Sequence, residues 1–384
     1  MFFSFFLIFT GAAVLATVAL YTRQPLLIAY IFLGVLVGPF GFSVIEDTNL
    51  LSDIAEIGII FLLFLLGLDM QISNLITTLK KSLLVGILSC LSFAIVGFAI
   101  TRLMGFSFID SVIVGLCMMF SSTIIGIKLL PTTVLHHKHS GELMVGILLI
   151  QDFIAILVLL AIESLGQDSV NTWTFIRPLL VLPVLIFTTL LAVKYVVLPL
   201  LARFDRFHEY IFLLTIGWCL GVGELAKILG LSHEIGAFIA GVSLASSPIS
   251  QFIALNLKPL RDFFLILFFF TLGAQLNVGV LTTIVLPLVA LTIVVLLGKP
   301  LVFRFLLRRL SESNRLAWDI GFRLGQISEF SLLVTFIAQG SGLLSEGASV
   351  LVQSTAIATF AISSYIIVFN FQNPIAVSDR LRRD

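Results

Sequence analysis

The sequence predicts an all-α integral membrane protein of thirteen transmembrane helices, and three observations predict it. Of its 384 residues, 59% are hydrophobic and only 11% charged, with a mean hydropathy of +1.17. A soluble domain carries about 25% charged residues, so this chain could not cover a water-facing surface. Its apolar runs are continuous and near the ~20 residues that a spanning helix needs. They are not the alternating segments of about ten residues that build a membrane β-barrel. Finally, lysine and arginine fall to one side of a thirteen-span layout, as cytoplasmic loops require.

The spans run approximately 2–20, 26–42, 54–69, 83–103, 109–130, 142–164, 178–200, 209–229, 233–247, 259–276, 281–307, 316–338 and 348–370. The first has no basic start, which marks a spanning helix and not a cleaved signal peptide. The second is interrupted by Gly38, Pro39 and Gly41, and the ninth is short. With the N-terminus outside and the C-terminus cytoplasmic, sixteen of the 22 lysines and arginines lie inside, among them Lys80, Lys81, Arg308 and Arg309. Only Arg102, Arg177 and Lys227 lie outside, while Lys194, Lys299 and Arg323 fall within spans. A missed helix would scramble this bias. The expected location is a plasma membrane, the inner membrane of a bacterium, with the bilayer as the first partner.

Net charge is +1, so no nucleic-acid partner is expected. Cys90, Cys117 and Cys219 lie inside apolar runs and read as small packing residues. No cofactor and no enzymatic activity are expected.

Secondary transporters are often built from repeats. The segment Ala29–Val35 resembles Gly236–Val242, and Phe64–Met70 resembles Phe270–Leu276, both at an offset of about 206 residues. Seven spans separate the equivalents, so the copies have opposite topology. The chain is thus expected to be one transport domain over 1–384, with inverted repeats of approximately 1–164 and 209–370 joined by a linker helix at 178–200.

An ionisable residue at the bilayer centre costs at least ~2.5–3.5 kcal/mol on insertion scales and needs a reason to be there. Asp152 follows Gln151 in the middle of the sixth span, flanked by Ile150 and Phe153. A carboxyl that can be protonated or ionised holds either a proton or a transported metal cation, and that competition is the physical core of antiport. The bland alternative is an aspartate hydrogen-bonded to a neighbouring helix. Ser121, Ser122 and Thr123 sit in the middle of the fifth span, where hydroxyls can satisfy backbone freed by a break. The repeat maps them onto Gly325, Gln326, Ile327, Ser328 and Glu329 in the twelfth. Two broken helices that cross would offer carbonyls to a cation and opposed dipole ends. Each alone could equally be a helix–helix hydrogen bond.

Lys299, in Gly298-Lys299-Pro300 of the eleventh span, either compensates dipole ends at that crossing, pairs with a carboxylate, or snorkels to the cytoplasm. Arg323 and Glu329 are spaced for an ion pair. Glu224 has no assigned chemistry beyond a packing or dimer contact. His136, His137 and His139 form a loop cluster that reads as solvated, with metal binding or pH sensing as alternatives.

Segments Ala29–Phe42, Ala55–Met70, Ser121–Pro131, Gly146–Ile156, Ser232–Ser247 and Gly325–Phe330 together resemble the monovalent cation:proton antiporter-2 (CPA2) family. Gln151-Asp152 resembles its Kef-type potassium/proton branch, where electrogenic sodium/proton antiporters carry two adjacent aspartates. The resemblance implies a homodimer and a sodium/proton antiporter-like fold. It also implies a moving core of helices within 83–164 and 281–370, a scaffold of the others, and crossed breaks in helices five and twelve. Asp152 would be the ion-binding carboxylate and Lys299 the family's lysine on helix eleven. Kef proteins continue into a cytosolic nucleotide-binding domain, whereas this sequence stops at Asp384 and has no Gly-rich βαβ fingerprint. No cytosolic regulatory domain is therefore expected here, and a separate cytosolic regulatory subunit is a candidate partner. The loop that meets that domain in Kef proteins is acidic; here Pro248–Pro259 carries Gln251, Asn256 and Lys258 instead.

The expected activity is electroneutral, one-for-one exchange of potassium or sodium for protons by an elevator-like motion. The rivals are a channel-like potassium conduit of the same ancestry, an organic-anion symporter of related fold, and a membrane-embedded sensor. Asp152, Gln151, Ser121, Ser122 and Thr123 would bind ion and proton, supported by Lys299, Gln326, Ser328 and Glu329.

Overall fold

A computed structural model describes residues 2–22, 24–45, 49–69, 72–122, 139–165, 172–204, 206–231, 233–245, 247 and 249–371. Among them the secondary structure is helical throughout. In chain order the first six helices are α1 (Phe2–Tyr21), α2 (Leu26–Val37), α3 (Asn49–Asp69), α4 (Ile72–Leu103), α5 (Phe108–Met119) and α6 (His139–Leu165). Then come α7 (Thr172–Ala192), α8 (Leu198–Arg203), α9 (His208–Ile228), α10 (His233–Ala245), α11 (Ser250–Ala274) and the single turn α12 (Val278–Leu281). The last five are α13 (Val285–Ile293), α14 (Lys299–Arg309), α15 (Asn314–Arg323), α16 (Glu329–Gly340) and α17 (Glu346–Asn370).

Six stretches among the described residues are long and apolar enough to cross a membrane: Phe2–Tyr21, Ser82–Leu103, Leu180–Arg203, His208–Ile228, Val285–Arg309 and Glu346–Asn370. Shorter apolar helices, including Leu26–Val37, Phe108–Met119 and Glu329–Gly340, lie between them. The chain is thus a multi-pass membrane protein.

Helix ends follow local chemistry. The second span was expected to reach residue 42, but α2 stops at Val37. The Gly38 amide still reaches the Gly34 carbonyl at 2.8 Å, and Pro39 then cannot continue the ladder. Ser107 caps α5 by accepting from the Asp110 amide at 3.0 Å, and Ser345 caps α17 by accepting from the Ala348 amide at 3.3 Å. Asp110 joins these two ends. One of its carboxylate oxygens accepts from the Ser345 amide at 2.8 Å, and the other accepts from the Ser107 hydroxyl at 2.8 Å. Two prolines inside long helices are each preceded by a π turn, Val193–Val197 before Pro199 and Val294–Gly298 before Pro300. The wider turn moves carbonyls that a proline ring would otherwise strike.

The chain divides into two compact units. The first holds Met1–Ile45, Ile76–Ile162 and Leu272–Asp384; the second holds Glu46–Leu75 and Glu163–Thr271. Within the second, α3 lies on α10 so closely that a Cβ on Gly67 would run into the Phe238 carbonyl. Phe61 also stacks on Phe264, with ring centroids 5.2 Å apart. Within the first, a Cβ on Gly273 would run into the Ile31 carbonyl. On α5 a Cβ at Gly115 would lie 2.6 Å from the Ala94 carbonyl oxygen, and on α15 one at Gly321 would lie 2.9 Å from that of Pro300. Small residues let membrane helices approach to backbone contact in this way.

Candidate functional site: two interrupted helices around a buried lysine

The site lies in the first unit. Helix α5 ends at Met119, and Phe120 is extended (φ −84°, ψ 145°). Ser121 and Ser122 follow without helical structure. Thr123, with the rest of 123–138, lies outside the described residues, as do His136, His137 and the side chain of His139. The twelfth span is interrupted as well: α15 ends at Arg323 and α16 starts at Glu329. Ser328 caps α16, its hydroxyl accepting from the Phe330 amide at 3.1 Å, and Glu329 opens the first turn.

Breaking a helix inside a protein leaves amides and carbonyls that must find partners. The Ser121 amide donates to Gln151 Oε1 at 2.9 Å. The Ile327 amide donates to Thr359 Oγ1 at 3.4 Å. Gln326 joins three segments: its Nε2 donates to the Arg323 carbonyl at 2.8 Å and, more weakly, to the Ser122 carbonyl at 3.5 Å. Its Oε1 accepts from the Ser363 hydroxyl at 2.8 Å. One turn further on, the Ser331 hydroxyl donates to the Cys117 carbonyl at 2.6 Å.

Lys299 is 1% exposed. Its ammonium donates to the carbonyls of Phe120 at 2.6 Å and Gln326 at 3.1 Å, with the Ser121 hydroxyl at 3.4 Å. The Phe120 carbonyl belongs to the C-cap of α5, and the Gln326 carbonyl lies in the second break, three residues past the end of α15. The end of α5 carries about half a negative charge, which the ammonium offsets in part. Of the three sequence readings of Lys299, this geometry matches compensation of dipole ends. Snorkelling does not fit a side chain so fully enclosed.

Asp152 sits on α6, 4% exposed, next to Gln151. The Gln151 bond to Ser121 therefore ties the Asp152 turn of α6 to the end of α5. Gln151, Ser121, Ser122, Gln326 and Ser328 are all buried. No group of three or more His, Cys, Asp and Glu that could hold a resident metal ion is present among the described residues.

Some partners were not read from sequence. Arg323 pairs with Asp319 at 2.8 Å within α15, a partner one turn back that the proposed Arg323–Glu329 pair passed over. Glu224 on α9 meets His233 Nε2 at 3.0 Å across the turn to α10. Thr359, Ser363 and Ser331 supply site bonds. Their sequence signal is an i, i+4 spacing of hydroxyls in apolar helices, Thr359 with Ser363 and Ser331 with Thr335.

Comparison with known proteins gives a consistent answer. The family described as sodium/hydrogen exchanger, transmembrane, matches residues 6–372. YbaL of Escherichia coli (strain K12), named for cation/proton antiport, is 28% identical over 90% of this chain and 64% of its own length. The glutathione-regulated potassium-efflux system protein KefC of Enterobacter sp. (strain 638) is 29% identical over 88% of this chain and 55% of its own length. The chain thus spans between about half and two-thirds of these relatives. Among solved structures, the sodium proton antiporter MjNhaP1 of Methanocaldococcus jannaschii superimposes with a TM-score of 0.69 at 17% identity, covering 94% of this chain and 96% of that one. These relatives are transporters and not enzymes. The chain belongs to the transmembrane sodium/hydrogen exchanger family, on its Kef-type cation/proton antiporter side.

Proposed function

We propose that this chain exchanges potassium or sodium for protons, one for one, with Asp152 as the group that holds either. The observation that carries this reading is Lys299 bonded to a carbonyl at each of the two helix interruptions, beside the Asp152 turn. With those carbonyls already paired to the ammonium, the Asp152 carboxylate is the group that an entering cation or proton neutralises. Ser121, Ser122 and Thr123 add neutral oxygens, and Gln326, Ser328 and Glu329 frame the second break. Potassium is favoured by the Kef-type relatives and by glutamine at position 151.

The same proposal includes thirteen spans, an inverted repeat and an elevator-like core. Paired contacts support the repeat. Gly67 against the Phe238 carbonyl corresponds to Gly273 against Ile31, and Gly115 against Ala94 corresponds to Gly321 against Pro300, at offsets of about 206 residues. The core would comprise α4–α6 and α13–α17, which belong to one compact unit. A homodimer in a bacterial inner membrane, with the N-terminus outside and a separate cytosolic regulator, completes the proposal.

Proteoliposomes loaded with each cation in turn test the activity. Cation-dependent proton flux is expected with potassium or sodium and not with choline. Ion currents far above exchange turnover would instead identify a conduit. Stoichiometry has its own test. A charge moved across 100 mV is worth ~2.3 kcal/mol, whereas a one-for-one exchanger feels the proton gradient, ~1.36 kcal/mol per pH unit, and the cation gradient, but not the voltage. Clamping the potential with an ionophore should leave the initial rate unchanged. A steep dependence on imposed voltage would overturn electroneutral exchange.

A further inference from the structure

The geometry points to Phe93 as a positioning residue for exchange, the face of its ring holding the Lys299 ammonium over the two interrupted helices. The inference rests on the exchange reading above and goes beyond it, because Phe93 carries no polar atom and touches neither break by hydrogen bonding.

Lys299 Nζ lies over the Phe93 ring, 5.1 Å from its centroid. That is within the ~6 Å over which a ring face attracts a cation. The three N–H groups of the ammonium are directed to three oxygens, those of Phe120, Gln326 and Ser121. Among the described residues it makes no ion pair. The ring adds a further side to the ammonium's enclosure, and it does so with the negative face of its quadrupole. Phe93 is itself fixed: it is buried on α4 and meets Phe303 edge-on, with centroids 5.5 Å apart and planes at 66°. Phe303 is one turn beyond Lys299 on α14 and is fully buried. The lysine's own helix thus holds the ring that holds the lysine.

The paired backbone contacts explain why these two residues meet. Phe93 immediately precedes Ala94 as Lys299 immediately precedes Pro300, and Ala94 and Pro300 make the matching approaches to Gly115 and Gly321. Positions 93 and 299 are therefore counterparts that face each other. Two lysines there would repel across a buried gap. Two phenylalanines would leave the Phe120 and Gln326 carbonyls without their donor. One of each is the pairing in which both sides attract.

Fluorination separates this role from packing, because it withdraws electron density from the ring face with almost no change of shape. The series is phenylalanine, 4-fluoro-, 3,5-difluoro- and 3,4,5-trifluorophenylalanine at position 93 of the full chain, with Phe93→Leu as the shape control. Melting of the purified protein should fall stepwise with fluorine count, by about 1–4 °C across the series. The maximal exchange rate should fall about threefold to tenfold, while the apparent KM for the cation stays within about twofold of wild type because the ring does not touch the ion. In a Lys299→Gln background, fluorination should change neither melting nor the residual rate. Equal melting and rates for all four rings, with loss only in Phe93→Leu, would reduce Phe93 to packing. Fluorine effects that persist in Lys299→Gln would also overturn the inference. If the wild-type protein exchanges no cation, the functional reading fails, yet the melting series still decides whether the ring holds the ammonium.

Discussion

Helices α4–α6 and helices α13–α17 build the two sides of the site with the same joints and different chemistry. In each, a glycine on a broken helix presses on a backbone carbonyl, at Gly115 with Ala94 and at Gly321 with Pro300. In each, the amide freed by the break donates to a side chain on the next helix, Ser121 to Gln151 and Ile327 to Thr359. The charges are not duplicated. After Gln151 comes Asp152, whereas after Thr359 comes the buried Phe360. Before Pro300 comes Lys299, whereas before Ala94 comes Phe93. Backbone geometry can thus be shared by both sides while Asp152 and Lys299 are each placed on one side alone, in a site framed twice.

The comparison can be broken most sharply at Asp152. Asp152→Asn keeps the size but removes charge and proton exchange, and cation-dependent proton flux should fall to the background of empty liposomes with folding intact. Normal flux would remove Asp152 from the mechanism and leave Lys299 as the one charge that sets the two sides apart in function. Next in size is Lys299→Met. It strips the Phe120 and Gln326 carbonyls of their donor, which should lower stability by about 2–4 kcal/mol at ~1–2 kcal/mol per unsatisfied carbonyl. Lys299→Arg, which keeps the charge but changes its shape, should recover part of that loss. Denaturation of the purified variants measures both.

A smaller effect separates the two amide joints. Gln151→Leu removes the acceptor of a 2.9 Å bond and Thr359→Val that of a 3.4 Å bond. Losses of about 1–3 and about 0.5–1 kcal/mol are expected respectively. A reversed order would mean that the second break, not the first, depends more on its neighbour. Gln151→Asp sharpens the charge comparison further. Two adjacent carboxylates can carry unequal numbers of protons and cations, so the voltage-insensitive rate expected of the parent should become voltage-sensitive.

Much of this site was legible because the sequence is so apolar. Asp152, Gln151 and Lys299 stand out in runs of leucine, isoleucine and valine, and each needed a reason to be buried. The hydroxyl run at Ser121–Ser122 and the polar run Gly325–Glu329 announced the breaks for the same reason. What was hidden depends on which turn faces which. Phe93 is one of 36 phenylalanines, and only its place opposite Lys299 distinguishes it. Asp110 sits in an ordinary capping sequence, and its bond to the Ser345 amide spans 235 residues of chain. The exit of α2 at Gly38 was placed too late because an apolar run continues beyond the last helical bond.

The π turn at Val294–Gly298 has a consequence for how this helix tolerates insertion and deletion. A π turn holds one residue more than the α-helical turn it replaces, and each residue of an α-helix advances the side chains by about 100°. Deleting a single residue from Val294–Gly298 would close the turn to a regular helix and leave Lys299 facing the same two carbonyls, because the turn loses its surplus residue and keeps its rotation. The direction of the ammonium is therefore buffered against the loss of one residue before Pro300. A one-residue deletion there would cost stability at Pro300, whose ring would then strike the carbonyl that the wider turn moves aside, with the lysine still in place.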